Sequence, residues 1–313
     1  MLAYFLRRVI ATIPVMLMVA LFVFSLLYIA PGDPAAIIAG DQASPEDVER
    51  IRASLGLDRP FLVRFFEWLW HVLHGDLGTS IFTNLPVSHM IAQRIEPTVS
   101  LMILTLILSL SVAIPMGVIA AWKHGTLLDR VVMMVAVFGY STPVFVVGYL
   151  LAYVFALQLD WLPVQGFTSI TQGLIPFLRN LILPAVALGL IYMALIARIT
   201  RATMLDVLSQ DYVRTAKAKG VEQKGILFVH ALKNAAVPIV TIVGIGFATL
   251  IGGAVVTESV FAIPGLGRLT VDAILRRDYP VIQGVVLLFS FIYVLVNLAV
   301  DLLYTVFDPR IRY

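Results

Sequence analysis

Five histidines, His71, His74, His89, His124 and His230, are the side chains best suited to proton transfer or metal binding. Their spacing gives them little to work with. None falls in an apolar segment with a carboxylate or a second histidine, and His71 and His74, one helical turn apart in a short amphipathic piece, read as a wet face before a metal site. The absence of cysteine excludes disulfides, thiolate metal sites, cysteine nucleophiles and palmitoylation. His-Glu-x-x-His, Gly-x-Ser-x-Gly and the phosphate-cradling Gly-x-x-x-x-Gly-Lys-Ser/Thr are all missing. The chain is therefore not expected to be a protease or an ATPase, nor to bind a cofactor or metal of its own.

The chemistry that remains is charge, concentrated in one internal stretch from Thr203 to Ala235. Its centre reads Asp211-Tyr212-Val213-Arg214-Thr215-Ala216-Lys217-Ala218-Lys219-Gly220, and Lys217, Lys219, Lys224 and Lys233 are four of the five lysines in the chain. The composition predicts a helix over Tyr212 to Lys219, capped by Asp211 and ended by Gly220. A second helix, about Glu222 to Ala235 with Ile226, Leu227 and His230 on one face, should flow into the next apolar run. Such a knob suits docking to a soluble partner; the bland alternative is a solvated loop.

The elements that must position this stretch are apolar. With 60% hydrophobic and 13% charged residues, against about 25% charged in soluble domains, the chain belongs in a bilayer. Six uncharged runs, Val9 to Ala30, Val99 to Trp122, Val131 to Leu159, Leu181 to Ala197, Ala236 to Val256 and Val281 to Val300, approach or exceed the ~20 residues that cross ~30 Å of hydrocarbon. The first exceeds the ~7 to 15 apolar residues of a cleavable signal and is expected to be retained. With the N-terminus inside, all five lysines fall in cytoplasmic pieces, together with Arg7, Arg8, Arg130, Arg198, Arg201, Arg214, Arg310 and Arg312. Both termini are thus expected in the cytoplasm, and the net charge of +3 reports topology, with no nucleic-acid partner.

This gives a first transmembrane helix over 1–30, an outer segment over 31–98 and a five-helix core over 99–313 containing the loop 203–235. In the outer segment Ser44-Pro45-Glu46-Asp47 starts a short helix stopped at Gly56. Pro60 to His74 sets Phe61, Phe65, Phe66, Trp68 and Trp70 around Arg64 and Glu67, a pattern suited to the headgroup layer. Pro115, in the second run, and Ser141-Thr142-Pro143, in the third, should bend their helices, either as packing kinks or as the lining of a pathway. In the fifth run Ala248 and Gly252, and Thr249 and Gly253, are four apart and make a helix-contact face. Asp301 is the only acid that the runs place near a core, and it reads as interfacial, so no proton relay is in view. Energy for any transport must come from another subunit.

Taken together, these segments resemble the inner-membrane permeases of binding-protein-dependent ABC importers, in the dipeptide/oligopeptide/nickel branch. The signature of that family, Glu-Ala-Ala, three residues, then Gly, is matched by Arg214-Thr215-Ala216 with Gly220, arginine standing where the glutamate would be. Further matches are Pro31-Gly32-Asp33-Pro34, Gly75-Asp76-Leu77-Gly78-Thr79-Ser80, His230-Ala231-Leu232-Lys233-Asn234, Glu258-Ser259-Val260-Phe261 with Pro264-Gly265-Leu266-Gly267, and Asp308-Pro309-Arg310-Ile311-Arg312.

The resemblance implies an all-α integral membrane protein of the inner membrane, with six transmembrane helices in the type I importer arrangement. It implies that Tyr212, Arg214, Thr215, Ala216, Lys217, Ala218, Lys219, Gly220 and Val221 form a coupling helix docked on cytoplasmic ATPases, which would hold ATP and Mg. Ser141, Thr142 and Pro143 would line the path, shared with a homologous second permease and bathed by membrane lipid. Glu258, Phe261, Pro264 and Gly265 would contact a periplasmic or lipid-anchored binding protein. Di- or oligopeptides are the expected solutes; nickel, glutathione or another small solute is the alternative, and a channel-like or structural protein without an ATPase the reading from another class.

Overall fold

The computed structural model describes residues 2–29, 35–36, 43–54 and 57–307. Pro31-Gly32-Asp33-Pro34, Gly56 and Asp308-Pro309-Arg310-Ile311-Arg312 lie outside the described residues. Helices follow in the order α1 (Leu2–Ile29), α2 (Pro45–Ser54), α3 (Phe61–Leu73), α4 (Val87–Trp122), α5 (Leu127–Ser141), α6 (Val144–Leu151), α7 (Leu174–Leu208), α8 (Asp211–Ala218), α9 (Leu232–Val260), α10 (Leu266–Arg276) and α11 (Tyr279–Phe307). A π-helical turn, Ala152–Gln158, prolongs α6, and another, Ile226–Ala231, leads into α9.

Among the described residues, five stretches are single helices long and apolar enough to cross a membrane: Arg7–Ile29, Val87–Trp122, Leu174–Leu208, Gln223–Val260 and Tyr279–Leu303. The remaining apolar run is broken. Leu127–Ser141 and Val144–Gln158 meet at 105°, and counting this pair as one crossing brings the number to six. The break sits where a residue before proline is pushed out of the α region: Thr142 and Pro143 are both extended, with ψ of 126° and 138°. Pro97 and Pro115, by contrast, lie inside an unbroken α4.

The long helices outrun the bilayer. At 36 residues α4 is about 54 Å long, so some 20 Å protrudes beyond the hydrocarbon. Its outer end, with Val87 and Ile91 buried, packs on Leu266 and Leu269 of α10 and on Val281 and Val285 of α11. The main core is α4 against α7 against α9, around Leu101, Leu188, Tyr192, Ile196 and Leu250. Gly246 and Gly253 of α9 face Tyr192 and Leu188, whereas Ala248, Thr249 and Gly252 are exposed on the opposite side. The contact face read from the sequence thus divides between a face used within the chain and one left open.

At the other edge, α3 is clamped to the first span. Phe65 is buried, and Phe61, Trp68, Leu69 and Val72 pack with it on Ala20, Val23 and Phe24 of α1 and on Leu287 of α11. Leu62, Phe66, Trp70 and Leu73 are exposed, so the helix presents one aromatic face inward and another outward. Arg8 near the start of α1 and Asp301 near the end of α11 pair at 3.0 Å, which holds the first and last crossings together.

Candidate coupling and pathway sites

The knob of the charged stretch is built as a helix, a glycine turn and a π-helical entry to α9. α8 starts one residue earlier than its sequence suggests. Gln210 is the extended cap residue and Asp211 the first helical one, exposed and 3.5 Å from Arg214, so Asp211 does not cap the helix. The other end matches expectation. Gly220 has φ of +81°, and its N–H donates to Lys217 O at 3.0 Å while Val221 N–H donates to Ala216 O at 3.2 Å. These two bonds close the last turn around a left-handed residue, which glycine adopts at little cost.

One side of α8 is fastened to the body of the protein. Val213 is fully buried and Ala216 half-buried, while Asp211, Tyr212, Arg214, Thr215, Lys217, Ala218, Lys219 and Gly220 are exposed, and Val221 is half-buried. Asn234 Nδ2 donates both to the Tyr212 hydroxyl at 3.0 Å and to His230 O at 2.7 Å, tying α8 to the start of α9. Behind it, Leu227, Ala231, Ala235 and Ile239 pack on Val118 and Ala121 of α4 and on Met204 of α7. His230 is exposed and does not share the buried face of Ile226 and Leu227, because the π-helical turn shifts the register by one residue. Phe228 and Val229 are exposed beside it, two apolar side chains that the sequence pattern did not single out.

Sequence alone also did not find the buried ionic site beneath the knob. Asp129 of α5 is 3% exposed and accepts from Arg201 Nε at 2.5 Å, Arg201 Nη2 at 2.8 Å and the Gly125 amide at 3.0 Å. His124 Nδ1 lies 3.0 Å from Arg201 Nη2. This forked pair locks the turn between α4 and α5 to α7 just ahead of the charged stretch.

At the broken crossing, Ser141 and Pro143 are exposed and Thr142 is half-buried. The hydroxyls are already engaged. Ser141 Oγ donates to Val137 O at 2.9 Å and Thr142 Oγ1 to Phe138 O at 2.8 Å, the latter a carbonyl that also accepts the Thr142 N–H at 3.1 Å. Each oxygen keeps lone pairs free to accept.

The outer turn after α9 is organised from inside. Glu258 and Phe261 are buried, as is Gly265, and of the four residues assigned to a binding-protein contact only Pro264 is exposed. Thr98 Oγ1 donates to Glu258 Oε1 at 2.6 Å, Arg268 N donates to Glu258 Oε2 at 3.0 Å, and Leu266 N donates to Thr98 Oγ1 at 2.8 Å. A Cβ on Gly265 would stand 2.2 Å from the Glu258 carboxyl carbon. The carboxylate therefore anchors the first turn of α10, where helix amides favour negative charge, and Asp301 is not the only acid near a core. A parallel anchor joins Asp278 to Ser80 Oγ at 2.5 Å and to the Ile81 amide at 3.2 Å, holding the Gly75–Ser80 loop.

Comparison with known proteins follows the same lines. The profile described as "Binding-protein-dependent transport system inner membrane component" matches residues 113–313, and its N-terminal companion matches residues 1–102. The chain is 57% identical over 310 residues, 99% of each chain, to a protein of Sinorhizobium fredii named "Probable peptide ABC transporter permease protein". It is 45% identical over 313 residues, the whole of both chains, to a "Glutathione transport system permease protein" of Salmonella choleraesuis. The MetNI methionine ABC transporter, solved in inward-facing conformations, contains a chain of the same fold at a TM-score of 0.59 and 17% identity, covering 70% of this chain and 96% of that one. Among the described residues, an apolar bundle of five long helices and one broken pair, with a charged knob packed on the ends of three of them, and these full-length relatives place the chain in the family of binding-protein-dependent transport system inner membrane components, as a multi-pass permease subunit of an ABC importer.

Proposed function

We propose that this permease forms half of the path for di- or oligopeptides. A homologous second permease forms the other half, and two cytoplasmic ATPase subunits, holding ATP and Mg, dock on α8. A periplasmic or lipid-anchored receptor delivers the solute to the outer turns. The observation that carries the coupling part is the construction of the knob. Its exposed face is a short, stiffly capped helix, and its buried face is continuous with the packed ends of α4, α7 and α9. A push on α8 is thereby delivered to three crossings at once, as a change between inward and outward arrangements requires.

Peptide as the solute class is supported by the name of the relative at 57% identity, a probable peptide ABC transporter permease. Glutathione is the second reading, from the relative at 45%, and is itself a small peptide. Uptake into vesicles containing the complete complex discriminates them. ATP-dependent accumulation of a labelled dipeptide, competed by tripeptides, is the expected result; accumulation of glutathione alone supports the second reading, and accumulation of neither refutes both.

A further inference from the structure

Two arginines one turn apart near the cytoplasmic end of α7 have opposite fates. Arg201 is forked onto the buried Asp129. Arg198 is exposed and has no ion-pair or hydrogen-bond partner among the described residues; its guanidinium lies 5.7 Å from the centre of the Tyr140 ring. Tyr140 is eleven residues, about 16 Å of helix, beyond Asp129 along α5. Arg198 therefore reaches along the apolar bundle toward the break at Thr142 and Pro143, away from the aqueous end that would solvate it. A long cationic side chain at a membrane boundary ordinarily turns to water, and one that turns inward marks a polar path or a counter-charge.

The surroundings define what it faces. Arg198, Tyr140 and Ser141 share a cleft of about 70 Å³ with Ala136, Val137 and Ala194. That space admits a carboxylate group or a few waters. The cation and the phenol are donors to a single anionic oxygen pair, Ser141 marks the rim with its one proton already given to Val137 O, and the apolar remainder of the wall strengthens the field.

We propose that Arg198, with Tyr140 and next to Ser141, forms an anion subsite of the translocation path that receives a carboxylate of the solute in transit. This rests on the reading of the broken crossing as path lining. In the complete complex in membrane vesicles, Ser141→Cys supplies the only thiol of this chain. It is treated with an anionic or a cationic aqueous methanethiosulfonate reagent, and labelling of this chain is followed over time.

The expected result is faster reaction with the anionic reagent. Arg198→Gln should lower the anion-to-cation rate ratio by roughly ten-fold, while Arg198→Lys retains most of it. A dipeptide should slow the anionic reaction, and its C-terminal amide should not. Three results overturn the proposal: no reaction with either reagent, which places the cleft against lipid or the sister subunit; a ratio indifferent to Arg198→Gln; and equal protection by acid and amide. Failure of the wild-type complex to take up dipeptides refutes the peptide reading, whereas the charge ratio reports the subsite whichever solute is carried.

Discussion

Substitution of Gly220 tests the coupling knob with little ambiguity, because a Cβ there meets nothing within 4 Å. Any effect must come from the backbone. At φ of +81° an alanine costs about 1 to 2 kcal/mol and a β-branched valine up to about 3 kcal/mol, while asparagine tolerates the conformation best after glycine. Against this stand the two hydrogen bonds that close the cap, from Gly220 N and Val221 N, which at about 0.5 to 1.5 kcal/mol each contribute about 1 to 3 kcal/mol together. Alanine therefore keeps the cap under strain. In Gly220→Val the strain is comparable with what the cap contributes, so about half of the molecules lose it. In the complex reconstituted with receptor and ATPases, solute-stimulated ATP hydrolysis and uptake should fall together, in the order Asn, Ala, Val, with Val at about half of wild type. Assembly with the second permease should persist, since Val213 and the cluster around Met204 are untouched. Wild-type stimulation in Gly220→Val, or equal loss in all three variants, would refute the link between cap rigidity and coupling.

On the same helix, Ala218→Asp should reduce ATPase association without lowering thermal stability, whereas Ala216→Asp should lower both, because Ala216 is half-buried beside Val213; pull-down and melting of the purified chain separate the two. Ser141→Trp fills the cleft beside Arg198 and should abolish uptake while leaving the complex assembled, and normal uptake would move the path elsewhere. Thr98→Val leaves the Leu266 amide and Glu258 Oε1 without their shared partner, a loss of about 1 to 3 kcal/mol readable as a lower melting temperature in detergent. In intact cells, cysteine at Ser44 or Gln172 should react with an impermeant thiol reagent and cysteine at Gln223 should not; labelling at 223 would overturn the orientation.

Much of the architecture was readable because a bilayer imposes a one-dimensional rule. Runs of uncharged residues mark crossings whatever their partners, and Gly220 marks a helix end by a local backbone requirement. What escaped reading was long-range. Asp129 and Arg201 are 72 positions apart and Thr98 and Glu258 are 160 apart, so neither pairing leaves a trace in local composition. Glu258 illustrates the cost. Beside Ser259 it resembles a surface acid, yet the fold turns it under α10. The bend at Pro143 was signalled by residue type, but its 105° was not, since Pro97 and Pro115 carry the same chemistry inside a continuous helix. Asp211 was misplaced by a single residue, the ordinary uncertainty of a helix start.

The anchors between distant segments also impose an order on synthesis. Thr98 enters the membrane with α4, but its carboxylate partner is made 160 residues later, and Ser80 waits 198 residues for Asp278. At translation rates of about 5 to 20 residues per second, the interval for Thr98 is roughly ten to thirty seconds. Throughout it the outer ends of α4 and of the Gly75–Ser80 loop lack the groups that fix them. A ribosome that stops short of Glu258 thus releases a chain that has the early crossings but neither of the anchors that fix their ends.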